Sequence, residues 1–452
     1  MENRRVVITG IGVVTGLGIG VESLWEGLLS GRSAIGPVRA FDASAFPVKL
    51  AAEVDESFRV RDFVPKHYRK ATKVMCRDIE LAVAAAGEAI VDGGLCTGWN
   101  ADGAGEGVYT YHPSRFGCQI GAGLIVADID EISGAFATAE DEPGDPESFS
   151  LKNWGERGMQ NLTPLWMLKY LPNMPACHVT IVHDCQGPSN TITCTEVAGC
   201  LSLGEARRVI ERGDADICFA GGAESKVNPL GMLRQIYAGV MAETSDADIA
   251  NPTGAVKPFS KEARGSVPGE GGALLLIEDY DEAKKRQGKI YAEVVGFGAA
   301  QSTDLCSGKI DPGEDGEGLA WAIEQAIDDA GIEANEIDAI VPMGYGTKSY
   351  DLAEVAALRR VMGEERLGEI PIVTTKPNVG SSAAAAGAID IAVGALCIYH
   401  QMLPARLNVE DDDVMGGLDA GAVAQRDYPL NFVLVCATGV GGQHTAVVLK
   451  KV

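Results

Sequence analysis

The chain has 452 residues, 46% of them apolar by type, with 56 glycines and a formal charge of −25. Such acidity argues against nucleic acid and anionic membrane as partners, and no apolar run approaches the roughly 18 residues of a membrane span. The length suits two or three average domains or one large duplicated unit. The 11 cysteines include no CxxC pair, and the six histidines include no pair at metal-ligand spacing. Neither a metal nor a disulfide framework is expected, and a reduced cytoplasmic compartment is.

Met1 to Arg5 carries two arginines but leads into a strand, Val6-Val-Ile-Thr9, without a signal peptide's apolar core. Gly10-Ile-Gly12 follows, yet Thr15 stands where a dinucleotide loop needs its third glycine, so nucleotide binding is not expected. Lys66, His67, Arg69, Lys70 and Lys73 form a local basic cluster in an acidic chain. It is either a solvated face or a patch acting within a Debye length. Asp78 to Ile90 has helical periodicity, and the Gly-, Pro- and acid-rich stretches 97–115 and 139–158 read as surface insertions. From Gly187 to Ala206 a strand runs into a helix, with Glu196 at the junction and Cys194 two positions before it. Asp216 to Gly222 is a further strand ending in glycines.

The second half repeats this order. Ile290 to Val295 is a strand followed by Gly296-Phe-Gly298, and Gly318 to Ala330 is an amphipathic helix. Ile337 to Val341 and Pro371 to Thr375 read as strands, and Ala383 to His400 as a long small-residue helix. Alternating strands and helices predict an α/β fold. Thr374 to Leu396 is the internal counterpart of Thr193 to Ile210, with Gly380-Ser381 at the matching junction, so the chain reads as a duplication about a pseudo-twofold axis. His444 closes the glycine-rich loop Gly439-Val-Gly-Gly442 and is either structural or functional.

The residues carry a family resemblance over nearly the whole length. Arg5 to Thr15, Gly187-Pro-Ser189, Gly213 to Glu224, Lys257 to Glu262, Gly269 to Gly272, Tyr291 to Gly298 and Thr375-Lys376 stand in the order typical of β-ketoacyl-acyl-carrier-protein synthases. The chain resembles the elongation ketosynthases and chain-length factors of that thiolase-like superfamily. The resemblance implies a duplicated, five-layered α-β-α-β-α sandwich with halves 1–287 and 288–452. It implies no cofactor or metal. It also implies chemistry on acyl-carrier-protein thioesters, and a homodimer or a heterodimer with an active ketosynthase.

Family synthases use a cysteine at the strand-to-helix junction, where the helix end favours the thiolate and backbone N–H groups stabilise an oxyanion. Two histidines support decarboxylation. In the matching register Glu196 stands at the cysteine position, and Tyr345 and Ser381 at the histidine positions. The family's lysine is Lys376, and its acidic stretch is Asp351-Leu-Ala-Glu354. The same register counts Thr347, Ser349, Val440, Gly441, His444 and Cys194 as acyl-substrate contacts, with Val440 in place of a bulky aromatic gate.

Glu196 at a helix N-terminus gains on the order of 0.3–1 kcal/mol from the dipole and stays ionised. An ionised carboxylate is a poor nucleophile toward a thioester and repels a malonyl carboxylate. The expected function is therefore a non-condensing, chain-length-factor-like subunit of fatty-acid or polyketide synthesis. The alternative is an active condensing, acyl-transferring or decarboxylating enzyme that uses Glu196, or Cys194 with His444 as its base. A third reading is a structural homodimer with a plugged site, in which Glu196 pairs with Lys376 or a neighbouring donor.

Overall fold

The computed structural model describes residues 4–101, 109–302, 315–410, 413–419 and 426–452. Its main sheet contains β1 (Val6–Thr15), β2 (Phe116–Gly121), β3 (Ser189–Ile192), β4 (Ile217–Ser225) and β5 (Glu270–Asp279) from the first half. The second half adds β6 (Ala292–Gln301), β7 (Ala339–Val341), β8 (Phe432–Thr438) and β9 (Gln443–Lys450). The main helices are α1 (Arg77–Asp92), α2 (Met174–His183), α3 (Ala198–Glu211), α4 (Glu317–Ala330), α5 (Lys348–Met362) and α6 (Ala386–His400).

Strand order shows the duplication directly. The first half runs β3-β2-β4-β5-β1, and the second runs β7-β8-β9-β6. Ile372 bridges Ile340 of β7 in parallel, where β3 pairs with β2 in the first half. With that bridge as its third strand, each half has the order 3-2-4-5-1. The halves join where β1 meets β6 at Val7–Glu293 and Ile8–Ala292. Helices α3 and α6 touch strands of both halves, while α1 with α2 and α4 with α5 cover the outer faces. The result is the expected five-layered α/β sandwich.

Glycines set how closely these layers approach. A Cβ on Gly10 or Gly12 would strike the carbonyls of Ala89 or Ala85 in α1. Gly296 and Gly298 stand in the same relation to Ala326 and Ala322 of α4. The Gly-Ile-Gly of the first strand therefore serves strand-to-helix packing and lies inside β1. Between the layers, Gly199 of α3 sits against Ala388 of α6, and Gly387 of α6 against Cys200 of α3. Small residues are needed at both crossings, because no side chain fits.

Three sequence expectations change. Pro371 to Thr375 is reduced to isolated bridges, Ile340 with Ile372 and Pro371 with Asp419, in keeping with a proline that has no N–H for a ladder. The helix expected from Ala383 starts with a separate 3-10 turn, Ala383–Ala385, because Ala383 has φ 45°. Ala383–His400 is also long and apolar enough to cross a membrane, yet 89% of it is buried inside the protein. It is a core helix. Of the expected surface insertion 97–115, residues 102–108 lie outside the described residues.

Candidate active site

The site forms where the two central helices begin. Gly121 at the end of β2 leaves room for the backbone of Ala198, and Gly222 in β4 leaves room for the carbonyl of Ala384. Each junction has one residue forced to positive φ, Thr195 at 50° and Ala383 at 45°, a conformation costly for β-branched and other L residues. Glu196 follows Thr195 as Ala384 follows Ala383. The structural counterpart of Glu196 is therefore Ala384, three residues beyond the Ser381 that the sequence suggested.

Glu196 is 1% exposed, and its Oε2 accepts a hydrogen bond from the Val440 N–H at 3.0 Å. Val440 belongs to the glycine-rich turn between β8 and β9, so the far half supplies the donor. A hydrogen bond to an ionised acceptor contributes roughly 1.5–3 kcal/mol and offsets part of the burial cost. The Tyr345 hydroxyl is buried without a hydrogen-bond partner of good geometry. Burial first, then the nearby Glu196 charge, push this phenol well above its ordinary value. Tyr345 is held protonated beside a carboxylate.

The counter-charge to Glu196 is Lys226, two residues past Glu224 at the end of β4. Burial opposes the charge on Lys226, but Glu224, Asp78 and Glu196 outweigh it and hold the ammonium above its usual value. Lys226 pairs directly with Glu224. The other oxygen of Glu224 accepts the Ala384 N–H at 2.8 Å. Thus Glu196 and Glu224 occupy the two matching helix beginnings, one bonded from Val440 and one from Ala384. Both face a cavity of about 420 Å³ with Lys226, Gln235, Leu124 and Val440 in its walls.

Lys376 is placed elsewhere. Its ammonium, 1% exposed, bonds Asp390 of α6 at 2.7 Å, and the Thr375 hydroxyl donates to the same carboxylate at 2.6 Å. Of the two partners offered for Glu196, Lys376 is thus held by an Asp390 clamp, and the neighbouring donor is the Val440 N–H. Burial raises the Asp390 carboxyl, and Lys376 opposes that rise. Glu354 accepts the N–H groups of Met343 and Gly344, and Asp351 those of Phe259 and Gly346. These two acids shape the turn that carries Tyr345.

The remaining sequence candidates divide between cavity and scaffold. Ser381 is buried with an unpartnered hydroxyl, and its backbone bonds Val267 and Gly269. Thr347 starts α5 and donates to the Val240 carbonyl, whereas Ser349 is exposed. The Gly441 carbonyl accepts from Gln301. His444 is bonded at one ring nitrogen to Ser302 and at the other to Thr438, and burial lowers it to about 4. It is a neutral scaffold histidine. Cys194 packs against the main core, burial raises its thiol, and its neighbours Thr193 and Thr195, not Cys194, line the cavity.

Sequence reasoning missed Lys226, Gln235 and Asp390. Asp390 could have been found, since a lone carboxylate in an otherwise apolar helix demands a buried partner. Chemically the site offers a fixed carboxylate, a protonated phenol and a paired ammonium, with no thiolate at the junction.

Comparison with known proteins agrees with this architecture. Residues 3–283 match the beta-ketoacyl synthase N-terminal domain, and residues 291–410 match its C-terminal domain. The 3-oxoacyl-[acyl-carrier-protein] synthase 2 of Vibrio harveyi is 30% identical over 100% of both chains. A granaticin polyketide protein of Streptomyces violaceoruber is 31% identical over 99% of this chain and 98% of its own. Among solved structures, the ishigamide ketosynthase/chain length factor matches with a TM-score of 0.80 at 27% identity over 100% of both chains. A beta-ketoacyl synthase from Burkholderia phymatum matches at 0.78 and 25% identity, over 99% of this chain and 100% of that one. With both domains matched and the duplicated sandwich in place, this chain belongs to the β-ketoacyl synthase family.

Proposed function

We propose that the chain is a non-condensing, chain-length-factor-like subunit of fatty-acid or polyketide synthesis, paired with an active ketosynthase. The observation that carries this reading is Glu196, buried and bonded to the Val440 N–H at the junction where a family synthase presents its cysteine. A carboxylate there blocks the recess that would stabilise an oxyanion. In this reading Tyr345 and Ser381 stand in the two histidine positions, and the halves 1–287 and 288–452 are the two ancestral copies.

Three surface features support a partnered role. Strand β3 is the outer strand of its half, with Ser189 and Asn190 exposed just before the Glu196 junction, and an open sheet edge is a template for another chain. Exposed Leu124 lines the mouth of the adjoining cavity. Lys66, His67, Lys70 and Lys73 are exposed and have no carboxylate partner among the described residues. In a chain of charge −25, that unneutralised patch suits an acidic carrier protein.

Incubation with acyl- and malonyl-acyl-carrier-protein thioesters, read by intact mass and by decarboxylation, tests the reading. The expected result is no covalent adduct on the isolated chain and no turnover. An acyl adduct that vanishes in Cys194→Ala, or decarboxylation lost in Glu196→Ala, would instead make the chain an active enzyme with altered chemistry.

A further inference from the structure

We propose that the cavity beside Glu196 binds an oxygenated acyl segment, a hydroxy- or ketoacyl group, and that Lys226 and Gln235 select it over a saturated hydrocarbon chain. This rests on the reading of the chain as a non-condensing, chain-length-factor-like subunit.

The cavity changes character with depth. Its exposed rim is Leu124 and Arg234, whose guanidinium donates to the Leu124 carbonyl, and half-buried Pro172, Ala238 and Val440 continue an apolar wall. Deeper lie Lys226 and Gln235, each 7% exposed, and Glu196 and Glu224, each 1% exposed. The Gln235 side-chain oxygen is buried without any hydrogen-bond partner. An unpartnered buried acceptor calls for a donor, which a hydroxyl supplies and a methylene does not. The Lys226 ammonium uses Glu224 and the Leu124 carbonyl, at 3.4 Å. Three N–H donors leave one for a keto or hydroxyl oxygen.

The alternatives fit less well. A saturated chain pushed to this depth would lie against a buried ion pair and an unsatisfied amide, stripping water from both without replacing it. A carboxylate-bearing group would meet Glu196 and Glu224 against the single deep cation. Gly123 shows that the polar floor is built in: a Cβ there would overlap the Glu224 carboxylate. A neutral chain carrying an oxygen near its end satisfies the apolar wall and the polar floor together.

The test uses the full chain in the assembly in which it purifies, titrated calorimetrically with pantetheine amides of 3-hydroxyhexanoate, 3-oxohexanoate and hexanoate. The oxygenated amides should bind about tenfold more tightly than hexanoyl, and Gln235→Leu should level the hydroxyl preference. Lys226→Met should level the keto preference. If that variant unfolds because Glu224 and Asp78 lose their cation, Gln235→Leu decides alone, since it alters no charge. Equal or tighter binding of hexanoyl, no binding of any amide, or a preference that persists in the folded variants overturns the proposal. The assay is separate from the pairing question. A chain that co-purifies with a ketosynthase yet prefers hexanoyl refutes only the cavity assignment, and an unpartnered chain that prefers oxygenated amides refutes only the pairing.

Discussion

Replacing Lys376 with methionine separates a scaffold role from a catalytic one. Lys376 and Asp390 are 1% and 0% exposed on their side chains and lie 2.7 Å apart, so the substitution leaves a carboxylate buried with only the Thr375 hydroxyl as partner. Removing one member of a buried ion pair costs about 3–5 kcal/mol, because the other charge remains desolvated. Replacing both members with apolar residues is often neutral, or stabilising by about 1–4 kcal/mol. Lys376→Met should therefore lower the urea midpoint sharply, and Lys376→Met/Asp390→Leu should recover most of the loss. A double-mutant cycle on unfolding midpoints measures the coupling. If Lys376→Met stays within about 1 kcal/mol of the parent, or if the double variant loses the sum of the singles, the clamp is not the role of this lysine.

Other outcomes follow from the same geometry. Gly387→Val should destabilise the chain by roughly 1–3 kcal/mol or more, because even its Cβ would fall 2.5 Å from the Cys200 sulfur at the crossing of the central helices; thermal unfolding reads this. Cys194 should alkylate slowly at neutral pH, since burial raises its thiol, and rapid iodoacetamide labelling there would contradict the site description. Buried Asp78 and Glu354 are raised to about 7, and Asp351 to about 8. The folded state thus holds protons that the unfolded state releases above about pH 4. Stability from these groups should fall as pH rises toward 7–8, by up to about 1.4 kcal/mol per pH unit for each proton. Asp351→Asn should flatten the upper part of that fall in chemical denaturation.

Local patterns in the sequence carry much of the frame. The helix expected over Asp78 to Ile90 appears as Arg77–Asp92, and that over Gly318 to Ala330 as Glu317–Ala330, because apolar spacing and terminal glycines fix both ends. The repeat of Gly10-Ile-Gly12 in Gly296-Phe-Gly298 was visible as a pattern. Its cause, close contact with Ala85 and Ala89 and with Ala322 and Ala326, is a packing fact that one-dimensional reading cannot supply. The sequence pattern puts the counterpart of Glu196 at Ser381, whereas the backbone repeats positive φ at Thr195 and Ala383. The partners of Lys376 and Glu196 were missed for a related reason. Which carboxylate meets which cation depends on how the sheet halves fold about β1 and β6, and the stretch 224–238 enters the site only through that arrangement.

In the proposed pairing, a second synthase supplies the nucleophile. Native mass spectrometry of the chain purified from its source cells tests that most directly. The expected species is one copy of this chain with one copy of a ketosynthase that carries a reactive cysteine, the latter alone becoming acylated. A homodimer of this chain with no second synthase would contradict it.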